Sequence, residues 1–175
     1  MKLTENSTTR HYLKCKLLAD FDDSKLADYP LKFTILLKKR PVSVWDITFE
    51  SFIKVVNYKD SVYNLIELLH MITNVNKNYL TWAKIKLTLP LFYHYKNEIE
   101  KICEMFASVS KEAPPSKVIV KDMQEFGLTS YVDYLADGRI IDHAVILQMP
   151  VHQIYAEYRR KVWKLINEIE NMKVK

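Results

Sequence analysis

Residues 122–139 read DMQEFGLTSYVDYLADGR and hold both glycines of the chain, Gly127 and Gly138. Each glycine lies where a helical pattern breaks, and glycine commonly ends helices because it adopts positive φ without a Cβ clash. The two breaks predict a short helix over 129–136, a turn, and a further helix over 140–148. The segment therefore predicts short helices that fold against the long helix after them.

That long helix has the most regular pattern in the chain. Pro150 suits its first position, where the missing N–H of proline costs nothing. The apolar residues that recur at helical spacing are Val151, Ile154, Tyr155, Tyr158, Val162, Leu165, Ile166 and Ile169. We expect this stripe to dock on the protein's own core and to bury Ile154, Tyr158 and Ile166.

Helical patterns also dominate the front half of the chain. Ser43 to Asp46 resembles a capping box with Asp in the Glu or Gln position, which predicts a helix start there. The apolar face of that helix would consist of Trp45, Phe49, Phe52, Ile53 and Val56. Further helices are predicted over 60–73 and 91–107 from the same spacing.

Residues 79–90 are compatible with two structures. Ile85, Leu87 and Leu89 alternate with polar residues, as in a half-buried strand. Trp82, Ile85 and Leu89 also fit one face of a helix. The pattern alone leaves both alternatives open.

A small sheet is predicted near the N-terminus. Residues 12–18 and 31–37 alternate apolar with polar side chains, which is the period of a half-buried strand. The apolar residues concerned are Leu13, Cys15 and Leu17 in the first run and Leu31, Phe33, Ile35 and Leu37 in the second. We expect a two-stranded antiparallel ribbon within 12–37, and a helix over 10–20 is the competing interpretation.

Composition favours helices over sheets. Two glycines among 175 residues is far below the usual share of ~7%, whereas sandwiches and barrels need glycine-rich turns. We predict a mainly α, multi-helix bundle. Pro114 and Pro115 mark a linker over 108–117, which would separate an N-terminal helical part (10–107) from a C-terminal helical part (118–175).

The sequence offers no catalytic constellation. The two cysteines have no cysteine or histidine at ligand spacing, and no glycine-rich phosphate-binding fingerprint occurs. Asp133, Asp137 and Asp142 lie near one turn with His143, but helix capping explains aspartates there without a metal. We therefore predict a protein that is not an enzyme, with no catalytic residues, no cofactor and no metal site.

The charge pattern is that of solvated faces. The formal net charge is +5, and the lysines are spread along the chain. A basic helical nucleic-acid-binding protein is the alternative functional class, although it requires a basic stripe with base-reading side chains. Since no apolar run approaches 18 residues, we expect no membrane span. The polar N-terminus is not typical of a secretory signal, so we expect a cytoplasmic protein.

A set of apolar and turn residues recurs through the C-terminal part: Phe126-Gly127, Tyr131-Val132, Leu135-Ala136, Gly138, Ile146, Met149-Pro150-Val151 and Tyr155. In the N-terminal part, Phe33 leads into Arg40-Pro41-Val42-Ser43 ahead of a helix. These spacings resemble those of small helical proteins of tailed-bacteriophage morphogenesis, notably tail assembly chaperones. The resemblance implies a non-enzymatic factor that binds a tape-measure, tube or other tail subunit, or a tail or connector component, in the host cytoplasm or the virion.

Four large apolar residues near the last two helices lie off the predicted stripes. They are Trp163, Tyr134, Leu147 and Met149. Aromatic residues and methionine are enriched at protein interfaces. We therefore predict that these four residues contact a partner protein or a second copy of the chain.

Overall fold

The computed structural model describes Thr4 and residues 6–16, 42–112 and 127–173. These ranges form eight α-helices: α1 (Thr9–Lys16), α2 (Phe49–Tyr58), α3 (Leu65–Thr73), α4 (Lys77–Trp82), α5 (Ile85–Glu112), α6 (Thr129–Ala136), α7 (Ile140–Gln148) and α8 (Val151–Lys173). Short 3-10 helices span Val44–Asp46 and Val62–Asn64. The described residues contain no strand, so the predicted mainly α, multi-helix bundle is confirmed for them.

The predicted N-terminal ribbon is not supported. Residues 12–16 belong to α1, as the competing helical interpretation had it, and the run over 31–37 lies outside the described residues. The helix prevails because Thr8 caps it, accepting at its hydroxyl the N–H of His11 at 3.2 Å. Alternation over so short a run fits a helix as well as a strand, and Tyr12 is fully buried from the helix.

Residues 79–90 are helical except for a short break between α4 and α5. Leu80 is buried from α4, and Ile85 and Leu89 are buried from α5. Pro90 lies inside α5, in its second turn. It removes one backbone hydrogen bond there, which the buried neighbours on either side offset.

Helix α2 begins later than the capping-box pattern predicts. Its cap is Thr48, whose hydroxyl accepts the N–H of Ser51 at 3.3 Å. Ser43 instead donates its hydroxyl to the Glu98 carboxylate at 2.7 Å. The face that α2 buries consists of Phe49, Phe52 and Val55 rather than Ile53 and Val56.

The chain forms two compact units. Unit 1 comprises Met1–Val44 and Lys54–Ile99, and unit 2 comprises Trp45–Ile53 and Glu100–Lys175. This division differs from the predicted linker over 108–117. Residues 108–112 are the last turns of α5, and residues 113–117 lie outside the described part of the chain.

In unit 1, the start of α1 is fixed to the start of α5. Thr9 is fully buried, its N–H donates to the Ala83 carbonyl at 2.9 Å, and its hydroxyl lies 2.9 Å from the Thr88 hydroxyl. The N–H of Ile85 donates to the Ser7 carbonyl at 2.8 Å. Two buried threonines are therefore satisfied by each other and by the backbone, as buried polar groups must be.

The Tyr95 hydroxyl in unit 1 is a buried polar group that lacks such a partner within the part of the chain that the structure describes. The ring is fully buried, and its hydroxyl has no hydrogen-bond partner among the described residues. Burial raises the pKa of Tyr95, and the nearby Glu98 carboxylate raises it further. A buried polar group without a partner costs about 1–3 kcal/mol.

We therefore expect Tyr95→Phe to raise the free energy of unfolding by about 1 kcal/mol, because it removes the unsatisfied hydroxyl and keeps the ring. Urea denaturation followed by far-UV circular dichroism measures the change. Tyr158→Phe is the matched control, since its hydroxyl lies 2.9 Å from that of Ser110 and its removal should cost about 1 kcal/mol. A loss of stability in Tyr95→Phe would contradict the conclusion that the Tyr95 hydroxyl is buried without a hydrogen-bond partner.

Candidate functional site

Unit 2 is organised around an aromatic cluster on Phe106 of α5. The ring centre of Phe106 lies 6.0 Å from Phe49, 4.9 Å from Tyr131, 5.3 Å from Tyr155 and 6.1 Å from Tyr158. These neighbours come from α2, α6 and α8, so one side chain ties three helices to α5. Aromatic pairs at such distances add to the stabilisation that burial alone provides.

The polar ends of this cluster meet at one serine. The Ser110 hydroxyl lies 2.9 Å from that of Tyr158 and 3.2 Å from that of Tyr131. Burial raises the pKa of Tyr158 to about 12 and raises the pKa of Tyr131, although the bond to Ser110 lowers both in part. Both phenols therefore stay protonated near neutral pH, and their hydroxyls join α6 and α8 to Ser110 of α5.

The turn after α6 is held by a lysine from α8. Asp137 and Gly138 adopt positive φ (52° and 75°), as the sequence predicts for a turn here. The Lys161 ammonium donates to the Tyr134 carbonyl at 2.7 Å and to the Asp137 carboxylate. This contact holds the pKa of Asp137 below its usual range. Lys161 thus satisfies carbonyls at the C-terminal end of α6, where a cation is favoured.

The junction between α7 and α8 is anchored to the start of α2. The N–H of Phe49 donates to the Met149 carbonyl at 2.8 Å, and the N–H of Val151 donates to the Ile47 carbonyl at 3.1 Å. Gln148 at the end of α7 donates to the Glu50 carboxylate at 3.0 Å. Helix α7 is therefore fixed at both ends, by the turn after α6 and by this junction.

Helix α7 presents apolar side chains to solvent. Ile140 is 81% exposed, Ile141 88% and Val145 65%, whereas Ile146 on the opposite side is buried. Polar groups lie on the more covered side, where the His143 imidazole approaches the Asp133 carboxylate at 3.3 Å. The exposed face is thus more apolar than a solvated helix face usually is.

The four residues predicted to contact a partner have different surroundings. Trp163 is 64% exposed. Tyr134 is partly covered, with its ring 5.0 Å from the Lys161 ammonium and 5.7 Å from the Tyr158 ring. Leu147 and Met149 are half-buried.

Two hollows in unit 2 take in two of the four residues. One, of about 310 Å³, is lined by Leu135, Ile146, Met149, Ile154, Glu157, Arg160, Lys161 and Lys164. The other, of about 380 Å³, is lined by Tyr155, Ala156, Arg159, Arg160 and Trp163. Arg160 borders both hollows, so the structure places Met149 and Trp163 beside neighbouring concavities, which Leu147 and Tyr134 do not line.

Sequence reasoning missed the exposed face of α7. The sequence pattern predicts a helix that contains Ile140, Ile141 and Val145, but it does not indicate which side of that helix faces water. The available signal was composition: six of the nine residues over 140–148 are apolar, more than one buried face of a short helix requires.

The acidic residues considered as metal ligands have other partners. Asp142 pairs with Arg139 at 2.9 Å, Asp133 faces His143, and Asp137 binds Lys161. Among the described residues, no group of three or more His, Cys, Asp and Glu side chains is arranged to hold a metal ion. No helix within those residues is long and apolar enough to cross a membrane.

No protein-family model, curated protein or solved structure matches this chain.

Proposed function

We propose that this protein is a non-enzymatic factor that binds another protein through the exposed apolar face of α7. One observation carries the proposal: Ile140, Ile141 and Val145 are 81%, 88% and 65% exposed on a helix that is anchored at both ends. Contiguous apolar surface of this kind commonly marks an interaction site. A partner that covers the face would remove it from water.

The way in which α7 is held supports a preformed binding face. The turn at Asp137 and Gly138 fixes its start through Lys161 of α8, and the Phe49–Met149 bond fixes the residue just after its end. A helix held in this way loses little conformational freedom on binding. Preorganisation of that kind raises affinity, because less entropy is lost when the complex forms.

The kind of assembly that we propose is the bacteriophage tail. The support is the resemblance of the chain to tail assembly chaperones, carried by residues such as Tyr131-Val132, Leu135-Ala136 and Met149-Pro150-Val151. The partner would then be a tape-measure, tube or other tail subunit, and the protein would act in the host cytoplasm or remain in the virion. A short, exposed apolar helix suits a factor that covers a partner's apolar surface until assembly.

A nucleic-acid-binding function is the second candidate, and one observation favours it. Trp163 is 64% exposed between Arg159 and Lys164, which have no ion pair in the described part of the chain. Aromatic and basic side chains together bind single strands. Binding of this class weakens steeply with salt, with a slope set by the number of phosphates contacted. Binding through Ile141 and Val145 would vary little with salt.

Affinity capture from the native source tests the proposal. We expect the intact chain to retain one defined protein, identified by mass spectrometry, and Ile141→Asp combined with Val145→Asp to lose it, because charge on a buried apolar face opposes binding. Tyr79→Asp is the matched control: Tyr79 is an exposed ring in unit 1 (51% exposed), and this variant should keep the partner. Equal capture by the α7 variant, or recovery of nucleic acid alone, would contradict the proposal.

A further inference from the structure

Helix α8 carries a second stripe on the side away from its core contacts. Its residues alternate three and four positions apart: Ala156, Arg159, Trp163, Ile166 and Glu170. Four of them are exposed and Ile166 is half-buried, whereas Ile154, Tyr158 and Val162 on the side toward the core are buried. A spacing of three and four is that of the seam between paired helices.

The hollow beside Trp163 has the form of a coiled-coil hole. Four of its lining residues, Ala156, Arg159, Arg160 and Trp163, follow one another at i, i+3, i+4 and i+7. In paired helices, four residues at this spacing receive one side chain from the facing helix. The volume of about 380 Å³ is open to solvent and is bordered by two guanidinium groups.

The charges along this stripe are self-complementary when two copies run antiparallel. Arg159 lies near the start of the stripe and Glu170 at its end, and neither has an ion pair among the described residues. Reversing the direction of a second helix brings Glu170 of that copy opposite Arg159, and Trp163 opposite Ile166. The arrangement repeats by two-fold symmetry, so each contact occurs twice, as in an isologous interface.

We infer that the protein self-associates as an antiparallel dimer through this face of α8. Glu170 of one copy enters the hole bordered by Arg159 and Arg160 of the other, and the two Trp163 rings lie near the symmetry axis beside Ile166. Charge complementarity favours a second copy of the chain as the binding partner, because the stripe is basic at one end and acidic at the other. A partner of one charge would match only half of the stripe.

The contact is short. From Ala156 to Glu170 the helix rises about 21 Å, and an interface of this length belongs to the small, weak class. A concentration-dependent equilibrium between monomer and dimer is therefore expected. This inference does not depend on the proposed function, because the exposed face of α7 and this stripe of α8 consist of different residues on different helices.

Sedimentation equilibrium of the full chain tests the inference. Arg159→Glu alone and Glu170→Arg alone should each weaken dimerisation by about tenfold or more, since each places like charges together twice. The double variant restores opposite charges and should return to within about threefold of the original constant. Trp163→Ala should weaken dimerisation by about 30-fold, since aromatic residues near the centre of an interface contribute most to affinity.

Lys164→Glu is the matched control. It makes the same charge reversal as Arg159→Glu on an exposed residue of α8, but it lies off the stripe and should leave the constant unchanged. A dissociation constant of about 1 mM is typical of only very weak complexes. A chain that stays monomeric up to that protein concentration would therefore overturn the inference. A dimer that both single variants leave unaltered would overturn it as well. Capture of a partner through Ile141 and Val145 would stand in either case.

Discussion

Phe106→Ala is expected to lower the free energy of unfolding by about 3–5 kcal/mol. The ring is fully buried, and its centre lies within 6.1 Å of those of Phe49, Tyr131, Tyr155 and Tyr158. Truncation leaves a cavity that three helices border, and these helices cannot all collapse into it. Since domains are stable by only about 5–15 kcal/mol, this variant should lie close to unfolding.

Urea denaturation followed by far-UV circular dichroism measures the loss. Met105→Ala is the matched control, because Met105 is the neighbouring residue on α5 and is 39% exposed. We expect it to change stability by no more than about 0.5 kcal/mol. If Phe106→Ala cost less than about 1 kcal/mol, the aromatic cluster would not be the centre of unit 2.

Helix positions were predictable where glycine, proline and spacing agreed. Gly138 and Pro150 bracket α7, and the predicted helices over 129–136 and 140–148 match the observed ones. The prediction failed over residues 12–16, where five residues of alternation satisfy two periods. The cap at Thr8 and the burial of Tyr12 stabilise the helix, and the spacing of apolar residues predicts neither of them.

The exposure of large apolar side chains was predictable from the sequence at one residue but not at others. Trp163 stood out because it lies off the apolar stripe of α8, and it is indeed exposed. Tyr134 also lies off a stripe, yet Lys161 from α8 covers its ring, a contact between residues 27 positions apart. Ile141 could not be recognised as exposed, since the polar residues Asp142 and His143 of this short helix lie on its more covered side and do not mark the side that faces water.

Burial along α8 was only partly predictable from its stripe. Ile154 and Tyr158 are fully buried, as expected, but Ile166 is only half-buried, so the prediction that Ile166 is buried was wrong. Ile166 lies on the flank of the stripe, toward Trp163, and the final turns of α8 have less cover, since Met172 is 69% exposed. An unbroken apolar pattern therefore continues beyond the part of the helix that the core covers.

Ile154→Ala is accordingly expected to lower the free energy of unfolding by about 2–5 kcal/mol, and Ile166→Ala by less than about 1 kcal/mol. Both changes remove the same atoms from the same helix. The difference between the two losses of stability therefore reflects only how fully each side chain is buried. Chemical denaturation at low micromolar protein isolates the monomer from any dimer contact through Ile166. Equal losses would mean that Ile166 is packed as fully as Ile154, and the outer stripe of α8 would then lack the free apolar side chain that opposes Trp163.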